Sequence, residues 1–328
     1  MTQSTARPIW FSHVFAAATA FIWSFSYIHI IWLAEYVTPL QLVILRNLFF
    51  LPGVIALWIM RRPTVRGRST AQWLIIIAVG CASGPLYHYP VAWGGDEGRT
   101  NASLIGLIIA TVPVHVGWLA WLLLREPLTL RRILGLVLGL LGVMTVLAGH
   151  LFDDAITTTT TLMGVLAVVA SAIIGGLNTV ATRAARRSLH PLDLLCLAGT
   201  VGIIIALALT PFADVTSMSA IPLLGWWASF YLGFIAIAVA YACWYTALGG
   251  SLPAVSIAMY LFVPCVLSAL WAWLWQDNHI GWEFFVGAAL VLAGLLAGME
   301  RRPEGDAEPT AIAAARERTH LQQGPSTR

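Results

Sequence analysis

The stretch Val112–Val143, "VPVHVGWLAWLLLREPLTLRRILGLVLGLLGV", returns later in the chain as "VPCVLSALWAWLWQDNHIGWEFFVGAALVLAG", Val263–Gly294. Pro113 matches Pro264 and Glu126 matches Asp277, both 151 residues on. Farther out, Trp93 matches Trp244 at the same offset, while Pro39, Gly135 and Gly142 match Pro191, Gly287 and Gly294 at 152. The chain therefore reads as two homologous halves.

Those halves are made of oil. Of 328 residues, 59% are hydrophobic and 10% charged, and mean hydropathy is +0.81. A soluble domain carries about 25% charged residues, so this is an integral membrane protein. Many runs exceed the roughly 18 apolar residues that a spanning helix needs. Long runs of low polarity point to helices rather than to barrel strands, which are short and alternating. Ten spans are predicted, at 9–31, 39–60, 71–93, 101–124, 131–149, 162–183, 191–211, 223–246, 253–275 and 282–299. The run after Arg7 is too long for a signal-peptide core and is kept as the first helix. Cys81, Cys196, Cys243 and Cys265 stand singly in apolar runs without a CxxC pair, as small core residues do.

Charge fixes the expected orientation. Every basic residue is arginine, and the small net charge of +3 carries no implication of nucleic acid. Arg61, Arg62, Arg66 and Arg68 follow the second span, Arg125, Arg131 and Arg132 the fourth, Arg183, Arg186 and Arg187 end the sixth, and Arg301 and Arg302 follow the tenth. The alternate loops hold Glu35, Asp96, Glu97, Asp153, Asp154, Asp214, Asp277 and Glu283, with Arg99 as their one arginine. This positive-inside bias places both termini in the cytoplasm of a bacterial-type inner membrane. Five spans per half then force the second half to enter from the opposite face. The expected fold is all-α: a polytopic membrane protein of ten transmembrane helices in two inverted five-helix repeats. The divisions are a cytosolic segment 1–8, repeats at 9–149 and 162–299, an external linker 150–161, and a polar cytosolic tail 300–328 whose composition predicts disorder.

In these residues the chain resembles the drug/metabolite transporter superfamily, in its ten-helix EamA-type form. The resemblance covers nearly all of 9–299. It rests on Ala102-Ser103-Leu104-Ile105, Pro113, Glu126, Leu128-Thr129, Gly135 and Gly142, on their weaker echo Ser256, Pro264, Asp277, Gly287 and Gly294, and on Trp23-Ser24 and Pro39 with Arg46. It implies transport of small metabolites, often export, in a superfamily that also holds importers and exchangers. The chain departs from the family's pattern at Asp96-Glu97, where the second half keeps Ala247-Leu248, and at Asp277 in place of Glu.

The candidate site follows from the polar and aromatic residues within spans. Trp23, Ser26, Tyr27, Arg46, His88, Tyr89, Trp93, Asn101, Asn178, Tyr241, Trp244 and Tyr260 are expected around a substrate cavity, as a largely apolar pocket with few polar anchors. An intramembrane guanidinium needs partners. Arg46 either binds a substrate carboxylate or ties helices together through backbone carbonyls. Pro113 and Pro264 each remove a backbone donor and kink a helix, as matched gates or as shapers of the cavity. His88, in "GPLYHYPVAW" where Gly84, Pro85 and Pro90 should loosen the helix, is a proton-coupling candidate, as are Asp96 and Glu97. Glu126 reads as a turn residue, with Thr129 capping the fifth span. Gly135-x-x-x-Gly139 and Gly294-x-x-x-Gly298 allow close helix approach, between the halves or in a homodimer.

No HExxH, GxSxG or GxxxxGK[ST] motif is present and no histidine pair has metal-ligand spacing, so neither an enzyme, a metal site nor a cofactor is expected. The expected function is a secondary transporter, monomer or homodimer. It would export a small metabolite such as an amino acid by alternating access, with the lipid bilayer and a small-molecule substrate as partners and protons as a candidate coupling ion. An importer or facilitator, or a non-transporting regulatory membrane protein, is the alternative.

Overall fold

Helix starts fall where the sequence supplies caps. The Thr38 hydroxyl accepts from the Gln41 N–H while the Gln41 side chain accepts from the Thr38 N–H at 2.7 Å, and Ser69 and Gln72 repeat this reciprocal arrangement. The matched prolines Pro39 and Pro191 each occupy the first turn of a helix, where a missing N–H costs nothing. The Thr129 hydroxyl accepts from the Arg132 N–H at 3.4 Å, as expected of a cap.

The computed structural model describes residues 8–100, 102–155, 161–214, 216–276 and 281–299. The N-terminal segment up to residue 7, Asn101, residues 156–160 of the linker, Asp277 and the tail 300–328 lie outside the described residues. The helices are α1 (Ile9–Ala34), α2 (Pro39–Arg61), α3 (Thr70–Gly95), α4 (Leu104–Leu124), α5 (Leu130–Ala148), α6 (Leu162–Ala185), α7 (Pro191–Phe212), α8 (Leu223–Leu248), α9 (Ala254–Trp275) and α10 (Trp282–Gly298). Among the described residues nine are long and apolar enough to cross a membrane, and α10, at 17 residues, is the tenth apolar helix. Exposed tryptophans near helix ends (Trp10, Trp121, Trp227, Trp275 and Trp282) suit the aromatic belts of a bilayer interface.

The two halves interlock. α1 packs against α8 and α9, and its counterpart α6 packs against α3 and α4. α2 meets α7 directly, and α5 meets α10 in the most extensive helix pair. Glycines make that last contact possible. A Cβ on Gly135 would lie 2.8 Å from the Gly294 carbonyl oxygen, and one on Gly142 2.6 Å from that of Gly287. These two contacts exchange under the repeat offset, so the helix pair has its own two-fold symmetry. Gly139 abuts the Phe262 ring and Gly298 abuts Met259. These glycine faces are thus filled within the chain.

The spans are less regular than a run of apolar residues suggests. α3 passes through a π-helical stretch at Ala82–Leu86, where Gly84 leaves helical geometry (φ −101°, ψ −117°) just before Pro85. Pro90 lies within the helix Tyr87–Gly95 without a break, so the expected loosening is confined to Gly84-Pro85. α4 stops at Ile109 and restarts at Val112. α9 passes from Ala254–Ala258 through the 3₁₀ turn Met259–Phe262 to a helix restarting at Val263. Pro113 and Pro264 are the second residues of these restarts, where proline is tolerated, so each follows a break rather than bending a continuous helix.

The connections α2–α3, α4–α5, α6–α7 and α8–α9 share one end of the bundle. Arg61 pairs there with Asp193 at 2.9 Å, and Arg183 with Glu126 at 2.9 Å. This is the arginine-rich end, and the opposite one is the far end.

Candidate functional site

Seven helices enclose one cavity of about 150 Å³, room on the order of ten waters. α1 contributes Trp23, Tyr27 and Ile30; α2, Arg46; α3, Tyr87, His88 and Val91; α4, Ile105, Ile109 and Val112. From the second half come Gly175, Asn178 and Thr179 on α6, Tyr241 and Trp244 on α8, and Leu261 and Pro264 on α9. The contributions from α1 to α4 lie towards the far end of their helices, whereas those of α6 and α8 lie towards the arginine-rich end. Tyr241 and Trp244 are therefore the cavity's floor, on the side of the arginine-rich end.

Arg46 dominates its electrostatics. The residue is 5% exposed, its Nε has no hydrogen-bond partner, and it forms no ion pair among the described residues. Among the described residues no aspartate or glutamate lines the cavity. On the same wall His88 Nε2 also lacks a partner, and the Asn178 side chain faces the Tyr245 hydroxyl. Leaving a buried polar atom unsatisfied costs about 1–3 kcal/mol, more for a charge. Two such atoms on one cavity, Arg46 Nε and His88 Nε2, mark where a polar ligand or water belongs. Among the described residues no carbonyl accepts from Arg46 Nε, as the reading in which it ties helices together would ask.

The other walls are aromatic and held in place. The Trp23 indole N–H donates to the Ala236 carbonyl at 2.8 Å, inside the π-helical stretch Tyr231–Val239 of α8. A π-helical register frees carbonyls from the ordinary ladder. Trp23 then sits edge-on to Tyr241 at 5.3 Å and tilted to Trp244 at 5.5 Å. Gly233, in the same stretch, lets α8 approach α2 at Arg46: a Cβ there would meet the Arg46 carbonyl oxygen at 2.5 Å.

Below the floor the arginine-rich end is tied together by an ion pair. Arg125 adopts a left-handed conformation (φ 56°) that ends α4 and reverses the chain. Glu126 consequently reaches Arg183, with the two side chains 13% and 2% exposed. Its second oxygen accepts from the Ala254 N–H at 2.7 Å, and Arg183 also donates to the Leu248 and Gly250 carbonyls. One carboxylate thereby joins the α4–α5 turn, the end of α6 and the start of α9.

Of the residues singled out in the sequence, Trp23, Tyr27, Arg46, His88, Asn178, Tyr241, Trp244 and Pro264 line the cavity. Ser26, Tyr89, Trp93 and Tyr260 are not among its lining residues, and neither is Pro113, expected as a gate. Ser26 is buried behind the wall. Tyr89, next to His88, turns outward and is 40% exposed, because neighbours on a helix face about 100° apart. Trp93 lies under the Arg99 guanidinium at 4.6 Å. The Tyr260 hydroxyl meets His13 Nδ1 at 3.1 Å. Pro113 is buried beside Val112, which does reach the cavity. Asp96 pairs with Arg99 at 3.0 Å and Glu97 pairs with it too, in a partly solvated turn away from the cavity. Asn101 is outside the described residues. The sequence reading missed Tyr87, Gly175, Thr179 and the aliphatic lining. The repeat offset of 152 pairs Trp23 with Gly175 and Tyr27 with Thr179, a signal that finds two of them. Among the described residues no three His, Cys, Asp or Glu side chains gather as a metal site.

Ten apolar helices in two inverted repeats around a mostly aromatic, polar-anchored cavity define a membrane carrier fold. The profile of the EamA-like transporter family matches this sequence twice, at residues 10–148 and 162–297, and the chain belongs to that family. It is 29% identical to a "Probable terminal-alkyne amino-acid exporter" of Streptantibioticus cattleyicolor over 74% of this chain and 78% of that one. It is 23% identical to "Uncharacterized transporter YetK" of Bacillus subtilis over 65% and 64%. A solved crystal structure with 19% identity superposes with a TM-score of 0.70, over 88% of this chain and 96% of the other, which is a likeness of fold. The protein is a membrane transporter.

Proposed function

We propose that this transporter exports a small carboxylate-bearing amphipathic metabolite, an amino acid or close relative, by alternating access. The observation that carries this reading is Arg46: a buried guanidinium without a protein counter-charge, on the wall of a cavity that holds no carboxylate. A guanidinium fork matches a carboxylate in two parallel hydrogen bonds. The Asn178 oxygen can accept from an ammonium, and the faces of Trp23 and Trp244 attract a cation. The aliphatic lining suits an uncharged side chain. The amino-acid exporter among the relatives supports the same class.

In this reading the arginine-rich end is cytoplasmic, with both termini on that side of a bacterial inner membrane. The two five-helix halves are the units that rock, with the site between them. The chain works as a monomer or homodimer. An ion gradient supplies the energy, with protons as the candidate and His88 as the group that takes them up.

The test is counterflow in proteoliposomes preloaded with a mixed pool of amino acids, amines and nucleobases, with and without an imposed pH gradient. Uptake confined to amino acids supports the reading, and uptake following the gradient supports coupling at His88. Uptake of amines or nucleobases without amino acids contradicts the reading.

A further inference from the structure

Repeat symmetry relates the far-end wall of the cavity to residues that do not line it. An offset of 152 in α1/α6, and of 151 in α3/α8 and α4/α9, carries Ile30 to Thr182, Val91 to Ala242, Ile105 to Ser256 and Ile109 to Tyr260. The first member of each pair lines the cavity and the second does not. The second members sit at the mirrored depth, towards the arginine-rich end. Thr182, Ser256 and Tyr260 are 4%, 2% and 4% exposed.

The two sets differ in chemistry. Where the far-end wall offers hydrocarbon, three of the four mirrored positions offer hydroxyls. The Tyr245 hydroxyl, also buried, faces the side chains of Thr182 and Asn178. Asn178 itself lines the cavity, so a file of polar side chains, Asn178, Tyr245 and Thr182, runs from it towards the arginine-rich end. At that end lies the Glu126–Arg183 pair. Thr182 precedes Arg183 in the chain, and Ser256 stands two residues beyond Ala254, whose N–H donates to Glu126.

We propose that Thr182, Ala242, Ser256 and Tyr260 line a second access vestibule, closed in this structure, and that the Glu126–Arg183 pair is the latch that shuts it. The proposal deepens the transporter reading of the cavity and rests on it, though not on the identity of the substrate. The vestibule's hydroxyls and the Asn178 oxygen replace water around a charged or zwitterionic substrate moving towards Arg46, which hydrocarbon cannot do. When the latch parts, the mirrored hydrocarbon wall at Ile105 and Ile109 closes.

Thiol labelling tests this without any substrate. Cys81, Cys196, Cys243 and Cys265 are replaced by alanine. Ser256→Cys or Ile105→Cys is then introduced, and a membrane-impermeant maleimide is applied to either face of proteoliposomes. With the latch intact, Ile105→Cys reacts from the far end and Ser256→Cys reacts slowly from both. Adding Glu126→Gln raises the Ser256→Cys rate from the arginine-rich face by about tenfold, within the usual range of coupling between sites, and lowers that of Ile105→Cys. If Glu126→Gln does not accumulate, Arg183→Lys weakens the same contacts more gently and gives the same reciprocal shift, smaller. A rise at Ser256→Cys with no fall at Ile105→Cys means local fraying and overturns the proposal, as does no change at either position. Labels that exchange in a protein showing no amino-acid counterflow would remove the amino-acid reading and leave the latch standing.

Discussion

The two halves share a backbone plan but not a chemistry. Arg46 in α2 corresponds to Ala198 in α7, Trp23 to Gly175 and Tyr27 to Thr179. Trp23 fills the cavity from one side, while Gly175 leaves room on the other for the Tyr87 ring, which a Cβ there would approach to 3.0 Å. Between α5 and α10 the correspondence is instead strict, glycine against glycine in both directions. Symmetry is kept where the halves must pack against each other and abandoned where a ligand must be told one way round from the other.

That contrast can be broken at several points. The largest effect is expected at Arg46. Removing one partner of a buried, hydrogen-bonded charge pair costs about 2–5 kcal/mol, so Arg46→Ala should cut amino-acid counterflow by at least about thirtyfold at normal expression. Arg46→Lys keeps the charge but loses the fork, and should retain a few per cent to a third of the flux, roughly. Next comes the symmetric seam. Gly142→Val places side-chain atoms where the Gly287 carbonyl and Val291 already sit. Overpacking of this kind costs about 1–3 kcal/mol, read as a lower melting temperature in detergent, with activity per folded molecule preserved. Gly175→Ala should be milder, narrowing the cavity beside Tyr87 and reducing flux of bulky side chains more than small ones. The smallest effects are expected off the cavity. Tyr89→Phe and Asp96→Asn should leave flux within about twofold, because surface changes away from buried features stay within about 0.5 kcal/mol. A strong loss at either would redraw the boundary of the site.

The scaffold was legible because its signals are periodic. Matched prolines and glycines, alternating arginine loops and ten apolar runs all carry a spacing that a duplicated helical protein cannot hide. The site was legible only where a residue stands out from its surroundings. Arg46, His88, Asn178 and the tryptophans do so in apolar helices. Ile30, Ile105, Ile109 and Leu261 look like any lipid-facing residue, and only packing tells them apart. Tyr89 and Tyr260 show the opposite error. Each is aromatic, mid-span and near the right depth, yet the break at Gly84-Pro85 and the 3₁₀ turn Met259–Phe262 reset which face of the helix meets the cavity. Irregular backbone of this kind depends on tertiary contacts and leaves only a weak trace in residue type. Glu126 was readable as a turn residue, but its partner Arg183, 57 residues away, was not.

The central claim is that Arg46 holds the carboxylate. The direct measurement is ligand-induced thermal stabilisation of the purified protein by matched pairs, leucine with leucinamide and phenylalanine with phenethylamine, for the unmodified chain and for Arg46→Ala. The account predicts that the unmodified protein is stabilised by the carboxylates and not by their amidated or decarboxylated partners, and that Arg46→Ala loses the distinction. If Arg46→Ala still favours each carboxylate over its partner by the same margin, the guanidinium is not the anchor and the site must be redrawn around His88 and Asn178.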